Sequence, residues 1–127
     1  MNDLIETVIT LPLRAPLVEP FVIASTSLET VVNVAVGVRL ASGICGWGEA
    51  PCLIPVTSES VEDIEQTIRR FSAYLRGRTI ADWQGLLKSV SSQMSATPSA
   101  RSGLEMAICD AYARHRKVSL RTIFGDV

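Results

Sequence analysis

The run Gly46-Trp47-Gly48-Glu49-Ala50-Pro51 places a carboxylate at the end of an otherwise apolar strand. Glu49 there can act as a general base, a role that needs a neighbour to tune its protonation. With no visible partner to tune it, the favoured reading is a structural carboxylate accepting backbone or arginine hydrogen bonds. The glycines around it allow the strand to twist or another backbone to come close. The sole histidine, His115, sits among Arg114, Arg116 and Lys117 near the end of a helical segment, where a cation favours the helix C-terminus. No GxSxG elbow accompanies it, so a Ser-His-Asp triad has no support. Glu59, Glu62, Asp63 and Glu65 read as the first turns of a helix, complementing its dipole, rather than as converging metal ligands. Gly43, Gly46 and Gly48 end a hairpin instead of opening a helix after a strand, which is not the geometry of a phosphate loop. Cys45, Cys52 and Cys109 are odd in number and lack CxxC spacing, so neither a disulfide framework nor a structural zinc site is indicated.

The elements that would position these residues follow from periodicity. Residues 4–13 are largely apolar and β-prone, with Pro12 marking an edge strand or strand end. Residues 15–30, with Pro16, Pro20 and the Ser25-Thr26-Ser27 cluster around Phe21, Val22 and Ile23, predict a long loop with an apolar knuckle. Val32, Val34, Val36, Val38 and Leu40 alternate with Asn33, Ala35, Gly37 and Arg39, a period of two that predicts a strand with one face on a core. Ala41, Ser42 and Gly43 supply a hairpin turn, after which residues 44–50 return antiparallel.

The period then changes. Ser60 and Asp63 mark the start of a helix whose apolar stripe is Val61, Ile64, Ile68, Phe71 and Leu75, ending before Gly77. Thr79 and Asp82 offer a second start, followed by Trp83, Leu86, Leu87, Val90 and Met94. Pro98 suits the first turn of a third helix that buries Leu104, Ala107, Ile108, Ala111 and Tyr112. A last short turn over residues 120–124 ends at Gly125. Strands followed by helices predict an α+β fold: a three-stranded antiparallel sheet followed by a bundle of three to four helices.

At 127 residues, 47% of them hydrophobic and 20% charged, the chain fits one domain with a core of its own. Twelve Lys plus Arg against thirteen Asp plus Glu leave a net charge of −1 and no basic stripe, which argues against a nucleic-acid partner. No apolar run approaches the ~20 residues needed to span a bilayer. The acidic amino terminus lacks a signal-peptide core, and with the cysteine usage this predicts a cytoplasmic protein.

These same residues carry a resemblance. Pro16-Leu17-Val18-Glu19-Pro20-Phe21, then GICGWGEAP over residues 43–51, resemble the muconate-lactonizing subgroup of the enolase superfamily, particularly its dipeptide epimerases. Residues 99–111, SARSGLEMAICDA, look like that family's SAxxAxExAxxD segment, and Ile123-Phe124-Gly125 like its terminal LFGG, so the likeness covers nearly the whole chain. It implies an N-terminal capping domain over residues 1–127, ending where the first strand of a modified TIM barrel would be expected. In the family that barrel holds the Mg²⁺ carboxylates and acid/base lysines. This chain would then contain no catalytic residue and bind no cofactor of its own. Mg²⁺ would belong to the full-length parent, a racemase or epimerase of small carboxylates or dipeptides.

By the same resemblance two loops, residues 21–26 and 52–57, would close over the barrel mouth and exclude water. Phe21, Ile23, Ser25, Thr26, Leu53, Ile54, Val56 and Thr57 are the candidate pocket residues; for Phe21, Ile23, Leu53, Ile54 and Val56 packing into the cap's own core is the open alternative. Trp47 and Glu49 would face the barrel. Family members with an arginine in the first loop pair it with an acidic substrate side chain. Ser25-Thr26-Ser27 stand there instead, which argues against an acidic dipeptide. Lys117, Ser119 and Asp126 replace the family's usual Gly, Pro and Gly at the domain junction. Two other readings stay open: a stand-alone binding or homo-oligomerisation module derived from such a cap, and a small enzyme using Glu49 or Asp110 as base.

Overall fold

The alternation along the second strand puts Val34, Val36, Val38 and Leu40 on one face, and all four are fully buried. The computed structural model describes residues 2–23, 26–53 and 57–125, with the backbone alone at Ile23 and Thr26. Three strands, β1 (Ile5–Ile23), β2 (Thr26–Leu40) and β3 (Cys45–Ala50), form an antiparallel sheet in the order β1-β2-β3. Helices α1 (Val61–Leu75), α2 (Trp83–Gln93), α3 (Pro98–Arg116) and α4 (Leu120–Ile123) follow, with a 3-10 turn at Ile80–Asp82 leading into α2. The α+β expectation is met. No helix among the described residues is long and apolar enough to cross a membrane.

Each helix start has a physical cause. Ser60 Oγ accepts from the Asp63 N–H at 3.1 Å while Asp63 accepts from the Ser60 N–H at 3.0 Å, a reciprocal cap for α1. Those bonds hold the Asp63 carboxyl below its ordinary range. Ile64, Ile68, Phe71 and Leu75 then line the buried face of α1. Thr79 Oγ1 accepts from the Ala81 N–H at 3.1 Å, so it caps the 3-10 turn, whereas Asp82 makes no side-chain cap for α2. Pro98 occupies the first turn of α3 as its missing N–H allows. Leu104, Ala107, Ile108 and Ala111 are buried from that helix, while Tyr112 is half-buried and stacks on Trp83 with ring centroids 5.2 Å apart.

The glycines beside Trp47 explain how α3 lies on the sheet. A Cβ on Gly46 would strike the backbone of Ala107 and Ala111, and one on Gly48 would strike the Gly103 carbonyl. Helix and strand therefore meet backbone to backbone, and only glycine fits at those two strand positions.

Two expectations need correction. Residues 15–30 are not a long loop; apart from residues 24 and 25, which lie outside the described residues, they continue β1 and β2 as a two-stranded ribbon beyond the end of β3. Pro12, Pro16 and Pro20 are tolerated because β1 is an edge strand, and a register shift between Pro16 and Phe21 sets residues 17–20 against the single position 29. Secondly, Glu59 does not serve the start of α1. It is buried and accepts from the Ser99 and Ala100 N–H groups at 2.8 and 2.9 Å, capping α3 across forty positions of sequence. Proximity in sequence to the α1 start concealed that a preceding carboxylate can reach another helix's orphan donors. Glu65 likewise is not simply a dipole charge, because it accepts from Thr10 Oγ1 at 3.2 Å. Lys117, which stands where the family usually has glycine, takes a left-handed backbone, φ 58°, at the end of α3, a conformation that favours glycine.

Candidate functional site

Strand alternation divides the sheet into an inner face that meets the helices and an outer face made by Ile9, Leu11 and Leu13 of β1, Asn33, Ala35 and Gly37 of β2, and Trp47 and Glu49 of β3. Trp47 pairs with Gly37, and its ring occupies the space a Cβ on Gly37 would take. Among the described residues this layer is left largely open: Leu11, Leu13 and Trp47 are between 41 and 50% exposed. Two open concavities meet at Trp47 and Met106. One, of about 450 Å³, is lined by Leu13, Ala35, Trp47, Gly48, Glu49 and Met106. The other, of about 340 Å³, adds Leu87, Glu105, Cys109, Leu120 and Phe124. Phe124 is 63% exposed, although it meets Trp83 edge-on with centroids 6.4 Å apart.

The ribbon carries further apolar side chains into solvent. Phe21, Val22 and Val18 are exposed, Val18 completely. Phe21 pairs with Leu28, five residues along β2 from Asn33, or about 17 Å of strand. Ile23 pairs with Thr26 at the backbone level. Leu53 and Thr57 are half-buried and joined, the Leu53 N–H donating to Thr57 Oγ1 at 2.9 Å and the Thr57 N–H to the Leu53 carbonyl at 2.7 Å. Ser25, Ile54 and Val56 lie outside the described residues. Of the predicted pocket residues whose side chains are described, Phe21 is exposed on the ribbon, and Leu53 and Thr57 are hydrogen-bonded to each other after β3.

Neither candidate base stands free. Glu49 Oε2 accepts from Asn33 Nδ2 at 2.8 Å, so its partner is a neutral amide rather than a backbone group or an arginine. Asp110 Oδ2 accepts from the Trp47 N–H at 2.8 Å and from Arg114 Nε at 2.9 Å, which ties β3 to α3. Asn33, Glu59 and Asp110 are the polar residues whose structural role the sequence concealed. The only sign of Asn33 was a lone amide on the outer face of an apolar strand.

The thiols are poor nucleophiles at neutral pH. Burial pushes the Cys109 thiol up to about 11 and also raises Cys45 and Cys52 above their ordinary value. Among the described residues no three His, Cys, Asp or Glu side chains converge as metal ligands. Among the described residues the arrangement presents apolar surface and assembles no acid-base pair.

Residues 5–125 match the model of the mandelate racemase / muconate lactonizing enzyme N-terminal domain. The chain is 36% identical over 115 residues to an aromatic dipeptide epimerase of Herpetosiphon aurantiacus, covering 91% of this chain and 32% of that protein. It is 38% identical over 116 residues to an L-Ala-D/L-amino acid epimerase of Populus trichocarpa, covering 90% of this chain and 28% of that one. A solved dipeptide epimerase of Methylococcus capsulatus, complexed with Mg and the dipeptide L-Arg-D-Lys, superposes with a TM-score of 0.84 at 31% identity, over 95% of this chain and 34% of its own. The chain therefore spans about a third of the length of the curated relatives it matches. A sheet whose outer face lies open and helices that seal only its inner face agree with that sequence match, and the chain belongs to the mandelate racemase / muconate lactonizing enzyme N-terminal domain family.

Proposed function

We propose that residues 1–127 form the substrate-capping domain of a Mg²⁺-dependent racemase or epimerase acting on dipeptides, completed by a catalytic barrel. The observation that carries this reading is the exposed apolar outer sheet face, with Leu11, Leu13 and Trp47, together with the exposed ribbon residues Phe21 and Val22, which the alternation of β1 sets on opposite sides of the ribbon. Large apolar side chains left exposed on an otherwise well-packed domain fit surfaces that another body covers. In this reading Mg²⁺ is held by the barrel and not by this chain. Phe21, Ile23, Ser25, Thr26, Leu53, Ile54, Val56 and Thr57 would line the pocket, and Trp47 and Glu49 would face the barrel. Closing that pocket would exclude water and strengthen the electrostatics of the reaction inside it.

An apolar ribbon fits a substrate with an uncharged side chain better than an acidic one. The similarity to an aromatic dipeptide epimerase supports the same preference. The test is a graft: this domain replaces the N-terminal domain of the Herpetosiphon enzyme, and α-carbon epimerisation is followed by deuterium exchange with Mg²⁺. The graft is expected to epimerise apolar dipeptides, while the isolated chain produces no turnover. Exchange catalysed by the isolated chain and lost in Glu49→Gln would overturn the reading in favour of a stand-alone enzyme.

A further inference from the structure

Asn33 sits where β2 passes beyond β3, since the next residue, Val34, pairs with Ala50 at the end of β3. Its Nδ2 donates to Glu49 Oε2 at 2.8 Å, and its Oδ1 accepts from the Cys52 N–H at 3.1 Å. The two ends of a primary amide have nearly the same shape, so partners decide which end points where. A carboxylate only accepts. Glu49 therefore draws the NH₂ end to itself and turns the oxygen toward Cys52.

We propose that Glu49 is a positioning residue for the segment after β3, acting through the Asn33 amide to fix where the chain leaves the sheet at Cys52 and Leu53. The bonds beyond Cys52 pass that position on. The Leu53 N–H and carbonyl are both engaged by Thr57, and Cys52 Sγ donates to the Glu59 carbonyl at 3.3 Å. Glu59 is itself clamped to the start of α3. Cys52 is thus held at two points, to the sheet through Asn33 and to the helix start through Glu59. The purpose assigned to this device rests on the capping reading, in which Leu53 and Thr57 face substrate; the positioning itself is a property of this chain alone.

Amide hydrogen exchange of the 127-residue chain, followed by NMR, tests it. Glu49→Ala is expected to speed exchange at Cys52 and Leu53 about tenfold relative to Ile68 in α1. Glu49→Gln, which keeps an acceptor oxygen, should stay within about twofold of the parent chain. Asn33→Ala should reproduce the acceleration at Cys52, and adding Glu49→Ala to it should bring no further increase, because a residue that acts through another has nothing left to act on. Parent-like exchange at Cys52 in Glu49→Ala, additive effects in the double variant, or an acceleration that Ile68 shares in full would each overturn the proposal. The readout needs no turnover, so failure of the barrel graft and failure of this coupling are separate results.

Discussion

At the base of β2, Val34, Val36 and Val38 are sealed beneath helices α1 and α3; in the ribbon that continues the same strand pair, Val18, Phe21 and Val22 stand in water. Both regions use β-branched and aromatic residues on the same antiparallel ladder. They differ in what lies over them. Burying a valine contributes roughly 1.5–3 kcal/mol, a gain available at the base and absent in the ribbon, whose order rests on ladder hydrogen bonds and cross-strand pairs. The ribbon therefore keeps apolar surface that the described residues of this domain leave exposed, which agrees with the proposed capping role. The base has spent its own on folding.

Substitutions on either side of this divide should separate the two regions. The largest loss is expected at the polar support of the base: Glu59→Ala leaves two buried α3 N–H groups without their acceptor and should cost about 3 kcal/mol in urea unfolding. Next comes Val36→Ala, where lost transfer energy and a residual cavity together should cost about 2 kcal/mol. A denaturation midpoint unchanged by Val36→Ala would show that the base is no better packed than the ribbon. Lys117→Gly works in the opposite direction, relieving a left-handed backbone, and should raise stability by about 0.7 kcal/mol in the same assay.

The smallest effect on folding is expected from Val22→Ala, within about 0.5 kcal/mol of the parent chain because that side chain is 72% exposed. In the grafted enzyme the same change should raise KM for an apolar dipeptide. A stability loss at Val22 matching that at Val36 would erase the distinction between frame and lid.

Much of this fold was legible from residue order. The period of two through Val34–Val36–Val38, the Ser60 and Asp63 cap, Pro98 at the first turn of α3 and the change from strands to helices are local signals, each produced by neighbours within a few residues. The ribbon was not legible, since Pro16, Pro20 and a serine-threonine cluster read as a loop unless it is known that β1 has a neighbour on one side only. Glu59 was misread for a similar reason. A carboxylate just before Ser60 looks like part of α1 until the start of α3 is brought against it.

The candidate site divides along the same line. The sequence by itself determined which apolar residues the chain carries at 21, 53 and 57's neighbourhood, the glycine-flanked Trp47, and through its ordered motifs the family to which it belongs. Only the tertiary structure decided that Glu49 is held by Asn33, that Asp110 is engaged by Trp47 and Arg114, and that the outer sheet face stays open. Those facts depend on groups 16 and 63 positions apart meeting within hydrogen-bond reach. Local propensity carries no information about such pairs, because they exist only once burial of the valine face has chosen how α3 lies on the sheet.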